Sequence, residues 1–176
     1  MVRYVEAGRD APACAAINAP YVEDSVISFE MEAPSAREMA ERIEAISTTH
    51  PWLVAERDGR VAGFAYASTH HARAAYRWAA DVTVYVDAAH HRAGVGRELY
   101  EALFELLRAQ RLWIACAGIT LPNDASVGLH EALGFVPVGV YRNIGWKDGS
   151  WRDVGWWQLE LGALPQEAPP EPLAPD

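Results

Sequence analysis

Cysteine is scarce in this chain, with Cys14 and Cys116 the only two among 176 residues. Two thiols cannot build a disulfide framework, and both lie in apolar segments, so they read as reduced core thiols of a cytoplasmic protein. No apolar run approaches the length of a membrane span, and Met1-Val2-Arg3-Tyr4 carries no signal-peptide core. Positive charge is also in short supply: 15 Lys and Arg stand against 24 Asp and Glu, for a formal net charge of −9. That balance argues against nucleic acid or an anionic membrane as the main partner. The six histidines include two adjacent pairs, His70-His71 and His90-His91, with neither helical i, i+4 placement nor cysteine spacing. No metal site is expected from such a pattern.

What the chain does have is apolar substance. Hydrophobic residues make up 51%, enough for one domain with a real core, and the length is too short for two ordinary domains. The chain is organised around residues 82–110. Val82-Thr83-Val84-Tyr85-Val86 is dense in β-branched and aromatic residues and reads as a strand buried on at least one face. A polar turn follows, carrying Gly94 and Gly96. Then Val95, Leu99, Ala102, Leu103, Leu106 and Leu107 recur on one face of a 3.6-residue period, which predicts an amphipathic helix.

A strand that feeds a glycine-bearing turn into a helix has chemical meaning. The first N–H groups of a helix have no internal partner and sit at the positive end of its dipole. Glycines remove the Cβ atoms that would hold a ligand off the backbone, so the turn suits a phosphate or pyrophosphate, with Arg92 and Arg97 adding charge. A nucleotide-triphosphate loop would need Lys-Ser or Lys-Thr where Arg97-Glu98 stands, and a dinucleotide fingerprint would need glycine where Leu99 stands.

The other elements follow from local signals. Residues 2–6 alternate as a short strand. A helix is predicted over 10–19, with Asp10 as N-cap, Pro12 in its first turn, and Pro20-Tyr21 ending it. Ser35 and Glu38 form a capping box for a helix over 36–46. Residues 52–56 and 61–67 flank Asp58-Gly59 as a hairpin. The basic, aromatic stretch 68–78 breaks the pattern. A buried strand is predicted over 112–119, a short helix over 123–133 closed by Gly134, and a second hairpin over 136–146 and 151–161. From residue 163 the prolines forbid regular structure, and a disordered tail is expected after a domain spanning 1–162. The class is α+β (mixed α/β): a central, mostly antiparallel sheet with a parallel strand pair in the middle and helices on both faces.

The turn His91-Arg92-Ala93-Gly94-Val95-Gly96 resembles the pyrophosphate loop of the GNAT superfamily of acyl-CoA N-acyltransferases, with His in a first position usually held by Gln or Arg. The element order is also that of the superfamily. Pro51-Trp52-Leu53-Val54-Ala55-Glu56, Leu121-Pro122-Asn123-Asp124, Leu129-His130-Glu131-Ala132-Leu133-Gly134-Phe135 and Asp153-Val154-Gly155 resemble phosphinothricin and methionine sulfoximine N-acetyltransferases over nearly everything but the tail. The resemblance implies acetyl transfer from acetyl-CoA to the α-amino group of a glutamate-like amino acid, in a ternary complex and without metal. Alternatives are another amine or a protein N-terminus as acceptor, or a non-catalytic acyl-CoA-binding module. It further implies that the edge of Val84-Tyr85-Val86 and Asn123 hold the pantetheine arm. The amides of Arg92, Ala93, Gly94, Val95, Gly96 and Arg97 would hold the pyrophosphate. Asp81 stands where the family carries a Glu proposed as proton acceptor, and His130 would protonate the leaving thiolate or assist deprotonation. Phe29, Arg73 and Tyr76 are implied near the substrate, Arg73 as a bidentate grip on its carboxylate. Cys116 has no adjacent base in sequence and is not expected to carry an acyl group. The crowd of Trp146, Trp151, Trp156 and Trp157 implies a pocket wall or a homodimer surface.

Overall fold

A computed structural model describes residues 1–175. Seven strands form one sheet in the order β1-β2-β3-β4-β5-β7-β6. They are β1 (Val2–Tyr4), β2 (Trp52–Arg57), β3 (Arg60–Thr69), β4 (Ala79–Val86), β5 (Ile114–Leu121), β6 (Val136–Lys147) and β7 (Ser150–Glu160). Every neighbouring pair is antiparallel except β4 and β5. Helices α1 (Ala7–Glu23) and α2 (Ala36–Ser47) cover one face, while α3 (Val95–Ala109) packs on the other. The short α4 (Asp124–Ala132) follows β5.

The local signals produce the local structures. Asp58 and Gly59 both take positive φ, +51° and +74°, in the β2–β3 turn, and Asp148 and Gly149 do the same between β6 and β7. Ser35 and Glu38 close the capping box of α2. In α3 the buried residues are Val95, Gly96, Leu99, Tyr100, Leu103, Phe104 and Leu107, the apolar stripe read from the sequence extended by two aromatics.

Packing overrides local signals elsewhere. Helix α1 begins at Ala7, and Asp10 is not its N-cap: Glu6 is, and Asp10 is buried inside the first turns. There its carboxylate accepts from the Glu6 N–H at 2.8 Å and from Arg3 at 2.7 and 2.8 Å. Nor does the helix stop at Pro20; both prolines lie inside it. An interior proline disfavours an exposed helix by about 3 kcal/mol. Burying Ala11, Cys14, Ala15 and Ile17 against Trp52, Val54 and Phe64 outweighs that. The tail lacks regular structure, yet it is docked. The Trp78 indole donates to the Pro170 carbonyl at 2.9 Å, Arg77 pairs with Glu171, and Leu173 exchanges bonds with Gln110.

Candidate active site

The site begins where the sheet comes apart. Strands β4 and β5 pair at only three positions, Ala79 with Ile114, Ala80 with Ala115 and Asp81 with Cys116. Beyond Asp81 they diverge, because β4 stays paired to β3 through Val86 while β5 stays paired to β7 through Leu121. The gap is a slit of 80 Å³ walled by Val82–Tyr85 and residues 117–120, with Asn123, Ser126, Tyr100 and His130 beneath. It runs into a wider cleft of 490 Å³ that shares Val82, Thr83, Gly118 and Thr120 and adds Phe29, Asp81, Tyr141 and Trp156. Asp81 therefore stands at the last rung before the strands part. A larger cavity, 620 Å³, lies between α1 and the β2–β3 turn and contains none of the expected site residues.

At the far end of β4 the chain makes the glycine turn. Arg92 has φ +61° and Gly94, the N-cap of α3, has φ +82°. Among the described residues, the N–H groups of Arg92, Gly94, Val95, Gly96 and Arg97 have no acceptor, whereas Ala93 N–H is already bonded to His90. A Cβ built on Gly94 would meet nothing within 4 Å. Bare amides facing open space at a helix N-terminus fit the diphosphate of coenzyme A. His91 points elsewhere: its Nε2 lies 2.9 Å from the Tyr21 hydroxyl and 3.1 Å from the Val86 carbonyl. Tyr21 donates to that same carbonyl at 2.6 Å, so the end of the Val84-Tyr85-Val86 edge is partly occupied from within. Asn123 caps α4 by accepting from Ser126 N–H at 3.1 Å and lines the slit.

Asp81 is half-buried, and burial pushes its carboxyl above the usual aspartate range, opposed by a hydrogen bond from His70. That contact, His70 Nδ1 to Asp81 Oδ1, measures 2.7 Å. The sequence reading missed His70. It arrives because the loop after β3 folds back beside Asp81, whose backbone pairs with Ser68. His70, Asp81 and Cys116 offer donor atoms within 4.8 Å of one another, a grouping the adjacent histidine pairs gave no hint of. Burial, reinforced by the Asp81 charge, pushes the Cys116 thiol up to about 11. It is thus a protonated thiol, unsuited to carry an acyl group.

His130 is buried, and both ring nitrogens are engaged. Nδ1 lies 2.8 Å from the Ser126 carbonyl and so carries the proton, while Nε2 lies 3.1 Å from the Tyr100 hydroxyl. Burial holds its pKa down, despite the bond to Ser126. With Nδ1–H directed at that carbonyl and Nε2 at the Tyr100 hydroxyl, the ring faces the slit through Tyr100. Tyr100 is the second residue the sequence reading missed.

The substrate residues divide. Phe29 joins the Asp81 cleft and covers Gly145 of β6. Tyr76 packs its ring on His70 and His71, with centroids at 5.8 and 4.8 Å. Arg73 instead lines a separate groove with Arg77, Thr49 and the tail residue Glu171, so within one chain it does not reach the cleft of Asp81. The tryptophans divide as well: Trp157 is buried in the core, Trp156 walls the cleft, and Trp146 and Trp151 stay exposed, edge to face at 5.5 Å.

One residue holds the Phe29 loop in place. Lys147, the only lysine in the chain, is buried and donates through Nζ to the carbonyls of Val22, Ser28 and Glu30 at 2.6, 2.7 and 3.0 Å. In sequence it falls in the turn between the two strands of the second hairpin.

Comparison with known proteins agrees with this geometry. The family described as acetyltransferase (GNAT) domain matches residues 6–156. A phosphinothricin N-acetyltransferase of Streptomyces viridochromogenes is 43% identical over 99% of this chain and 93% of its own length. An L-methionine sulfoximine/L-methionine sulfone acetyltransferase of Salmonella typhimurium is 35% identical over 64% of this chain and 66% of its own. A solved GNAT superfamily phosphinothricin acetyltransferase from Sinorhizobium meliloti, in complex with AcCoA, superposes with a TM-score of 0.91 at 31% identity, covering 97% of this chain and 93% of that one. A sheet split after its third parallel rung, a bare-amide turn at the head of α3 and relatives matched along nearly the whole chain converge on one conclusion: the protein belongs to the GNAT acetyltransferase family and is an N-acetyltransferase.

Proposed function

We propose that this enzyme transfers the acetyl group of acetyl-CoA to the α-amino group of a glutamate-like amino acid of the phosphinothricin or methionine sulfoximine kind, by direct attack in a ternary complex. The observation that carries the reading is the run of unpartnered amides at Arg92 and Gly94–Arg97, continuous with the open β4 edge. The loop amides hold the diphosphate, and the main chain of Val82–Val86 with Asn123 lines up the pantetheine arm as an added strand. The thioester then lies at the rung where Asp81 meets the cleft. Asp81 takes the proton from the acceptor ammonium, which frees the lone pair that attacks the thioester carbonyl. His130 serves turnover through the Tyr100 hydroxyl it holds beneath the slit. Phe29 and Trp156 form the apolar walls, and holding amine and thioester together supplies most of the acceleration.

The test is incubation of acetyl-CoA with phosphinothricin, methionine sulfoximine and a panel of amines, following free thiol and product mass. Acetylated phosphinothricin or methionine sulfoximine is the expected product; a panel with no acetylated amine rejects the reading. One observation favours a second acceptor class: among the described residues no arginine or lysine lines the Asp81 cleft. An amine without a carboxylate would then be preferred, and Arg73 would not contribute. Preference for such amines over amino acids in the same panel decides for it.

We further propose a homodimer built on β6, an edge strand whose Val136, Val138, Val140 and Ile144 are exposed beside Trp146 and Trp151. Sedimentation of the wild type at twice the monomer mass, and of Val138→Lys at the monomer mass, is the expected outcome. Two free buried thiols and an acetyl-CoA donor suit a cytoplasmic enzyme.

A further inference from the structure

One contact at the edge of the cleft, that of His70 on Asp81, has no role in the reading above. We propose that His70 is a positioning residue for acetyl transfer: its Nδ1–H holds Oδ1 of Asp81, so that the carboxylate turns its second oxygen to the acceptor amine. The inference rests on Asp81 being the proton acceptor.

The geometry supports it from three sides. The Nδ1–Oδ1 separation of 2.7 Å is that of a charge-assisted hydrogen bond. An ionised carboxylate only accepts, so the proton between them belongs to Nδ1. The second oxygen of Asp81 has no hydrogen-bond partner among the described residues, and Asp81 lines the cleft, whereas His70 does not. The imidazole is itself fixed. Its ring meets His71, Tyr76 and Trp156 at centroid distances of 4.2, 5.8 and 5.8 Å, the last two edge to face. Its Nε2 has no hydrogen-bond partner among the described residues. Asp81 thus receives a donor from a ring that three aromatic neighbours hold in place.

The pair also sets when the base is available. Burial disfavours the charged carboxylate, and the His70 bond works against burial. The other ionisable groups around Asp81 are His71 on the same loop, Cys116 on β5 and Tyr66 on β3. Burial pushes both Cys116 and Tyr66 up, away from neutrality.

The experiment is the pH dependence of kcat and kcat/KM for the wild type, His70→Phe, His70→Asn and Asp81→Asn, with acetyl-CoA affinity measured by calorimetry. Phenylalanine keeps the aromatic packing and removes the donor. Asparagine keeps a donor near the Nδ1 position and cannot titrate. In His70→Phe, kcat should fall about ten- to a hundredfold, the loss of one charge-assisted bond. The acid limb of kcat/KM should move to higher pH, since burial is then opposed only by the His71 charge. Acetyl-CoA affinity should stay as in the wild type. His70→Asn should recover most of kcat and return the acid limb. A normal profile in His70→Phe, or a His70→Asn as impaired as the phenylalanine, overturns the proposal while leaving Asp81 as base, provided Asp81→Asn is inactive. Full turnover in Asp81→Asn overturns both. Should His70→Phe fail to fold, nitrogen-15 spectra of the wild-type imidazole decide: a neutral ring protonated at Nδ1 supports the proposal, and one protonated at Nε2 refutes it.

Discussion

Gly94→Val tests the diphosphate cradle, because the structure separates its effect on folding from its effect on binding. Gly94 has φ +82° and ψ −3°, a left-handed conformation, and a Cβ there would meet nothing within 4 Å. No clash opposes the substitution, so the penalty to folding is backbone strain, about 1–2 kcal/mol. At about 2–4 °C per kcal/mol for a chain of this size, Tm should fall by roughly 2–8 °C. Binding should suffer far more. The valine Cβ stands in the space beside the bare amides, and relief of strain rotates the Gly94–Val95 peptide out of line. Loss of two amide bonds to phosphate oxygens, about 1.5–3 kcal/mol each, weakens the acetyl-CoA Kd by roughly two to four orders of magnitude. Gly149→Val is the matched control. Its φ is +71°, its Cβ would also meet nothing within 4 Å, and it lies in the β6–β7 turn. It should lose a similar amount of Tm and bind acetyl-CoA normally. Calorimetric titration and thermal unfolding of both variants complete the comparison. A folded Gly94→Val with wild-type affinity would show that the anion is held elsewhere.

His130→Ala removes the acceptor of the Tyr100 hydroxyl; kcat should drop about tenfold or more while acetyl-CoA affinity holds, and an unchanged kcat refutes its role in turnover. Lys147→Met leaves three carbonyls of the Phe29 loop without their donor and should cost about 3 kcal/mol in urea unfolding. KM for the amine should rise more than KM for acetyl-CoA; equal rises would detach the loop from acceptor binding. Arg3→Met tests acid stability. Burial alone would raise the Asp10 carboxyl, but hydrogen bonds from Arg3 and the Glu6 N–H bring it below the usual range. A depressed acid stabilises the fold above its unfolded pKa, and that stability is lost as pH falls through the folded value, in the window below about pH 4. Without Arg3, burial dominates, and the acid-unfolding midpoint followed by circular dichroism should move to higher pH; an unmoved midpoint refutes the linkage.

The elements the sequence disclosed are those whose causes are local. Asp58-Gly59, the Ser35–Glu38 box and the apolar stripe of α3 each specify a structure within a few residues, and each appears as read. Helix α1 shows the limit. Its prolines and Asp10 signalled a late start and an early stop, but the face buried against Trp52 and Phe64 carries the helix through both prolines, and Arg3 neutralises the buried aspartate. The tail shows the same limit: proline content excludes helix and strand but says nothing of Trp78 or Gln110 waiting as partners. Of the candidate site, the 92–97 turn was legible as a glycine-bearing helix start, a main-chain feature. The contacts that depend on register were not. Asp81 meets Cys116 through the parallel ladder and His70 through a returning loop, and neither proximity is written in sequence spacing. Arg73 shows the converse: an arginine in that loop lines a different groove within one chain.

The sheet is better understood as two half-sheets than as one. Strands β1–β4 satisfy one another, and so do β5, β7 and β6, while three ladder pairs join the halves. A continuous parallel ladder from Val82 onward would remove the slit and its open edges together. The divergence therefore leaves main-chain donors and acceptors of β4 facing a narrow gap, where an extended ligand with its own amides can pair with them. The same divergence ends the ladder at Asp81 and opens the cleft at that point, which is why a half-buried carboxylate faces the cleft there. Helix α3 supplies the third part, since the strand that forms the open edge runs directly into the turn whose amides lack acceptors. Open edge, bare-amide turn and carboxylate thus lie along 17 consecutive residues, 81–97, and in the proposed binding mode one ligand spanning them would fix its reactive end by the place where its charged end is held.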